Sequence, residues 1–201
     1  MDARFVASAT SVSNLPAPGL PEVAIAGRSN CGKSSLVNAL TGRSRLARVS
    51  ATPGRTRELL FFAVTFPGQP ELQIVDLPGY GYARASKQEQ AAWGELIDRY
   101  IETRSTLRSL LVLLDARRDP AEEERELLRW AAQRSLDALV VLTKADKLGR
   151  SERRPAQERA RTGLGIRRMP LLVSVREPDS MLALREALVA SVLREPAPAG
   201  S

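Results

Sequence analysis

Residues 22–41 read "EVAIAGRSNCGKSSLVNALT", and the stretch inside them at 27–35, "GRSNCGKSS", decides the fold. Gly27, Gly32, Lys33 and Ser34 complete the pattern G-x-x-x-x-G-K-S, after an apolar run and before an amphipathic one. A strand, a glycine-rich loop and a helix in that order are the context in which this pattern holds phosphates. Glycines let backbone N–H groups converge on the phosphate oxygens, and the helix N-terminus adds partial positive charge. Arg28, Ser29, Asn30, Cys31 and Ser35 complete the cradle; Lys33 is placed to reach the β- and γ-phosphates, and the Ser34 hydroxyl to ligate Mg2+. Cys31 has two readings, a thiol activated by the helix terminus or simply a small residue that fits the loop, and the second is preferred.

Working outward, short apolar runs alternate with amphipathic stretches. Runs at 22–27, 59–66, 72–77, 109–116, 138–146 and 170–175 read as strands, most of them apolar throughout, as strands covered on both faces are. Helices are expected at 33–41, 88–104, 121–134, 152–162 and 179–193. The turn "PGQP" (67–70) joins its flanking strands as an antiparallel hairpin; the remaining β-α alternation implies a parallel sheet. The fold class is therefore α/β: a P-loop domain of three layers α/β/α, on a six-stranded, mostly parallel sheet with one antiparallel strand. One domain is expected over 1–193, with a disordered tail at 194–201. Residues 42–57, rich in Arg, and 78–87, rich in Gly, read as long functional loops. Trp93 and Trp130 fall in helical stretches and read as core residues.

The chain of 201 residues carries 30 Lys and Arg against 23 Asp and Glu, a net charge of +7 that suits a polyanionic partner. It has no histidine, which excludes His-based triads and His-ligated zinc, and Cys31 is the only cysteine, which fits a reducing cytoplasm. No apolar run approaches the roughly 18 residues that span a bilayer, and no signal peptide is read at the N-terminus.

Three further stretches bear on chemistry. In "DLPG" (76–79), Asp76 at a strand's carboxyl end is placed to hold Mg2+ through water, and Gly79 leaves a backbone N–H for a γ-phosphate. In "TKAD" (143–146), the Asp146 carboxylate can accept from guanine N1–H and N2–H2, groups that adenine lacks, while Lys144 covers the purine face and buttresses the phosphate loop. Thr143 stands where the common form of that motif has Asn, and its smaller hydroxyl is expected to weaken the ties between loops without altering base choice. Ser174 and Val175, after the last strand, are candidates to support the base. Of Thr52 and Thr56, Thr56 is chosen to close over Mg2+ and the γ-phosphate, because it lies nearer the strand that follows.

The ordered set "FVASA", "LPEVAIAGRSNCGKSSLVNAL", "PGRTRELLFF", "VDLPGYGYA", "WGELIDRYI" and "VLTKADKL" resembles the EngB family (also called YihA or YsxC) of bacterial GTPases, in the TrmE–Era–EngA-like superfamily. The resemblance runs from about residue 5 to 192. It implies a cytoplasmic, monomeric GTP/GDP switch with Mg2+, acting on the large ribosomal subunit or its precursor and rRNA, and through that on division and septation. Thr56 then matches the first switch, 76–79 the second, and 143–146 the base reader. The family usually has Val where Cys31 stands and a small residue where Val175 stands. Tyr80 follows Gly79 where many small G proteins carry a water-orienting Gln, so slow intrinsic turnover is expected. Lys33, Thr56, Gly79 and Asn30 form the expected catalytic set. Asn30 has two readings: a turn residue, or an oxygen ligand for K+ as in related GTPases with Asn at this place. Two rivals stand beside this reading: an ATP-dependent kinase or ATPase, against which Asp146 argues, and a switch for a protein partner such as division machinery.

Overall fold

The computed structural model describes residues 2–42, 58–79 and 87–194, the side chains of 87–93 excepted. Thr52, Thr56, Tyr80, the Trp93 side chain, most of the two long loops and the tail from 195 lie outside the described residues.

The strands are β1 (Asp2–Ala9), β2 (Glu22–Gly27), β3 (Leu59–Thr65), β4 (Leu72–Asp76), β5 (Leu107–Asp115), β6 (Asp137–Thr143) and β7 (Leu171–Leu172). They form one sheet in the order β1-β3-β4-β2-β5-β6-β7. β3 pairs antiparallel with both β1 and β4, and every other pairing is parallel, so β3 alone runs against the rest. The six expected strands are all present, and the sheet has seven because the N-terminal β1 adds an edge. Its sequence hid it: backbone bonds to β3 hold it, while only Ala3 and Ala9 of its eight residues are buried. Val6 is left without a partner where the β1 register shifts between Phe5 and Ala7.

Side chains alternate across the sheet and build two cores. Val23 and Ile25 of β2, Leu111 and Leu113 of β5, and Leu139 and Val141 of β6 face one side. There they meet helices α1 (Lys33–Thr41) and α5 (Pro178–Leu193) through Leu36, Leu40, Met181, Leu184 and Leu188. Their neighbours Ala24, Ala26, Val112, Val140 and Leu142 face the other side, against α2 (Lys87–Thr103), α3 (Glu122–Gln133) and α4 (Arg150–Leu164). The strands with helices over both faces are thus the apolar-throughout runs of the sequence. Trp130 packs, partly buried, on the second core, with the Arg134 guanidinium 4.3 Å from its ring centre. At the amino end of β2 the fully buried Glu22 carboxylate accepts the Tyr100 hydroxyl at 2.7 Å and Arg104 Nε at 2.8 Å, anchoring β2 to α2. The carboxyl ends of β2, β4, β5 and β6 all emerge on one edge, the place where open parallel sheets bind ligands.

Candidate functional site

The loop from β2 to α1 turns tightly. Cys31 N–H donates to Arg28 O at 3.0 Å, Asn30 lies at φ +66° and Gly32 at φ +101°. The second angle explains why glycine stands at 32, and the first is one that Asn tolerates better than most residues. A Cβ on Gly27 would stand 2.6 Å from Cys31 Sγ and 3.0 Å from Leu113 Cβ, so only glycine lets the loop lie this close to β5. Gly79 is brought from β4 onto the same loop: a Cβ there would lie 3.4 Å from both Gly27 O and Ser29 Oγ. Arg28 and Ser29 are half-buried, while Asn30, Ser34 and Ser35 are exposed.

Lys33, in the first turn of α1, pairs its ammonium with the Asp76 carboxylate at the end of β4. Burial pushes the Asp76 carboxyl up, and the Lys33 charge and hydrogen bond pull it back down. Cys31 is 4% exposed, and its burial pushes the thiol up despite Lys33 nearby. Burial thus lends no support to the activated-thiol reading of Cys31 and agrees with a small residue that fits the loop.

Next to it lies the end of β6. The Thr143 hydroxyl sits on two carbonyls, Cys31 O of the phosphate loop and Leu114 O of β5, the second at 2.9 Å. The hydroxyl does tie the loops, but a single proton serves two acceptors where an Asn amide would bring two. Lys144, at φ +59°, sends its ammonium to Asn30 O at 2.6 Å and to Asp115 Oδ2 at 3.0 Å. Asp146 lies in the middle of a 3-10 turn, Ala145–Lys147, and its Oδ1 accepts the Ser174 hydroxyl at 2.8 Å. That bond holds its carboxyl below the ordinary value, so it is ionised at neutral pH, with Lys147 and Arg176 each 3.9 Å from Oδ2. Ser174 is buried and also accepts Arg176 N–H at 3.1 Å, so its hydroxyl is taken up by Asp146 and the backbone; Val175 is half-exposed beside it.

The fold thus gathers Gly27 to Ser35, Asp76, Gly79, Thr143 to Asp146 and Ser174 at one edge, from four strands far apart in the chain. Two residues that the sequence reading passed over join them: Asp115 and Arg117. Asp115 was visible as a carboxylate ending an apolar strand, but its neighbours were not.

Residues 22–144 match a family of GTPases described as 50S ribosome-binding. A probable GTP-binding protein EngB of Desulfatibacillum aliphaticivorans is 47% identical over 164 residues, 82% of this chain and 78% of that protein. The chain belongs to the EngB family of GTPases. A second EngB relative, from Stenotrophomonas maltophilia, is 49% identical over 162 residues, 81% of this chain and 79% of its own length. Among solved structures, a crystal structure of a probable EngB superposes with a TM-score of 0.66 over 85% of this chain and 98% of that one, at 18% identity. Era in complex with MgGDPNP and a fragment of 16S ribosomal RNA gives 0.70 over 92% of this chain and 60% of that one, at 21% identity. At such identities the structures speak for the fold, and the EngB sequences carry the family. Base choice is settled with it: this is a GTP-binding chain, which removes the ATP-dependent rival.

Proposed function

We propose that this EngB chain is a Mg2+-dependent GTP switch that works on the large ribosomal subunit or its precursor, in the cytoplasm and as a monomer, with any effect on division and septation following from that work. The observation that carries the ribosomal part is the match of residues 22–144 to GTPases described as 50S ribosome-binding. The net charge of +7 supports an RNA-rich partner. No helix among the described residues is long and apolar enough to cross a membrane.

The residues present fit a phosphate-borne Mg2+. Ser34 offers an exposed hydroxyl in the first turn of α1, and Asp76 a buried carboxylate already opposite Lys33. Among the described residues no cluster of three acidic or thiol groups could cage a metal, so phosphate and water would supply most ligands here. When bound, the ion neutralises phosphate charge. Lys33 adds its ammonium at the β- and γ-phosphates, the loop N–H groups and Gly79 N–H orient them, and Asp76 holds a water by its carboxylate. Thr56 closes the first switch in this reading, and Asp146, set by Ser174, reads guanine. Chemistry is mainly positioning and charge neutralisation, and hydrolysis is slow without a partner.

K+ is proposed as a further aid to hydrolysis, with the exposed Asn30 side chain as a ligand. Its φ of +66° explains Asn by backbone alone, so the test must leave the turn intact. Asn30→Gly does so. Turnover in K+ should exceed that in Na+ at equal ionic strength for the parent only; equal rates in both salts leave Asn30 a turn residue.

The ribosomal reading is tested by sedimentation with ribosomal subunits in GDP, GTP and a non-hydrolysable analogue, across a salt series. Association with the large subunit should depend on nucleotide and fall steeply with salt. Salt-independent association, or none in any nucleotide state, removes the RNA-rich partner and favours a protein partner.

A further inference from the structure

We propose that Asp115, with Arg117 behind it, is a positioning residue of the nucleotide site, holding the Lys144 ammonium across the gap between the base-reading loop and the phosphate loop. Asp115 ends β5, the strand lying between β2 with its phosphate loop and β6 with its base-reading loop. It is 5% exposed, so its charge needs partners on the spot. Arg117 wraps it from the loop that follows β5. Asp115 Oδ1 accepts Arg117 N–H at 3.1 Å and Nε at 2.9 Å, and Oδ2 accepts Nη2 at 2.7 Å.

This fork–fork contact fixes the plane of the carboxylate. Oδ2, so oriented, stands 3.0 Å from Lys144 Nζ, whose other contact is Asn30 O at 2.6 Å. A lysine side chain is long and rotamer-rich, and freezing it costs entropy. Here two acceptors on two different elements hold it in one place, so that placing it for a nucleotide costs less. Two cations share one carboxylate, so the cluster still presents net positive charge. Burial disfavours the Asp115 anion, yet the bonds from Arg117 and Lys144 hold its carboxyl well below the usual carboxylate range. It is therefore ionised at neutral pH.

This inference rests on the reading of Lys144 as part of the nucleotide site, and the two can fail separately. GDP affinity is measured by titration calorimetry for the parent, Asp115→Asn, Lys144→Met and the double variant. Asp115→Asn keeps the volume and removes the charge. It should raise the GDP Kd about tenfold in the parent and less than about twofold in the Lys144→Met background, because the lysine it acts through is gone. Equal losses in both backgrounds, or no loss in the parent, overturn the positioning role. Parent-like affinity in Lys144→Met overturns the reading of Lys144 instead. A general loss of folding would lower the binding stoichiometry in both backgrounds and leave Kd alone, which separates it from positioning. If Asp115→Asn does not fold, Asp115→Glu takes its place in the cycle: the affinity it loses must likewise vanish with Lys144→Met, and a loss that persists sinks the proposal.

Discussion

At the scale of single residues, the candidate site is a set of charges that satisfy one another. The Lys33 side chain is 12% exposed and that of Asp76 3%, so each supplies the other's charge partner. Lys33→Ala should abolish tight GTP binding, and it should also destabilise the nucleotide-free protein by about 1–3 kcal/mol at pH 7, because a buried carboxylate loses its donor. The Asp76 carboxyl already lies above its ordinary value through burial. An acid raised in the folded state costs stability as pH rises through its folded pKa, so the deficit should be largest at neutral pH. It should shrink as pH falls towards about 4, the ordinary carboxylate value. Urea unfolding of parent and variant across that range checks this; a deficit that grows on acidification would mean that Asp76 does not sense Lys33. Asp146→Asn should lower GTP affinity roughly ten- to hundredfold and admit xanthosine triphosphate, whose C2 carbonyl can accept from the new amide. Competition between GTP and XTP reads the outcome, and unchanged guanine preference removes Asp146 from the base site.

At the scale of elements, the site is a seam between strand ends. Thr143 joins β6, β5 and the phosphate loop through one hydroxyl on Cys31 O and Leu114 O. Thr143→Val keeps the shape and leaves both carbonyls without that donor, which should cost about 1–3 kcal/mol of stability and weaken GDP binding. Thr143→Asn brings two N–H groups and should tighten the seam where space allows. Denaturant melts without nucleotide, paired with GDP titration, distinguish the two; a Val variant as stable as the parent would show that the hydroxyl carries no tie. The sequence pattern announced β2, β5 and β6 as apolar runs because helices cover both their faces. It did not announce β1, whose hold is the backbone ladder to β3, with Phe5 edge-on to Phe62 at 5.9 Å and itself about half exposed.

At the scale of the whole molecule, the RNA-rich partner proposed here would be met by positive surface charge. The arginines of α4 look like a basic face in the sequence, but Arg154 and Arg161 pair with Glu158, Arg159 with Asp119 and Arg153 with Glu177. Acidic neighbours thus take up much of that charge, and the Arg-rich segment 43–57 is proposed as the contact on its sequence alone. Replacing Arg43, Arg45 and Arg48 with Gln should reduce ribosome association and flatten its salt dependence, with GTP binding barely altered. An unchanged salt slope in sedimentation would move the contact elsewhere.

The glycine-rich loop between β2 and α1, the carboxylate that follows β6 and the α/β alternation were legible in the residues alone, because each rests on local chemistry: glycine where φ must be positive, a carboxylate at a strand's end, apolar runs where both faces are covered. Folding decided the pairings across the sheet. Nothing in the spacing of Asp115 from Lys144, or of Thr143 from Cys31, says that they touch, since only the parallel register of β2, β5 and β6 brings their ends level. The role of Ser174 as a donor to Asp146, the burial that quiets Cys31 and the Lys33–Asp76 pair share that origin. Local sequence specifies which groups a loop can offer; the sheet register and the two cores determine which of them meet, because hydrogen bonds and charge pairs at these distances depend on Ångström-scale placement that no single segment controls.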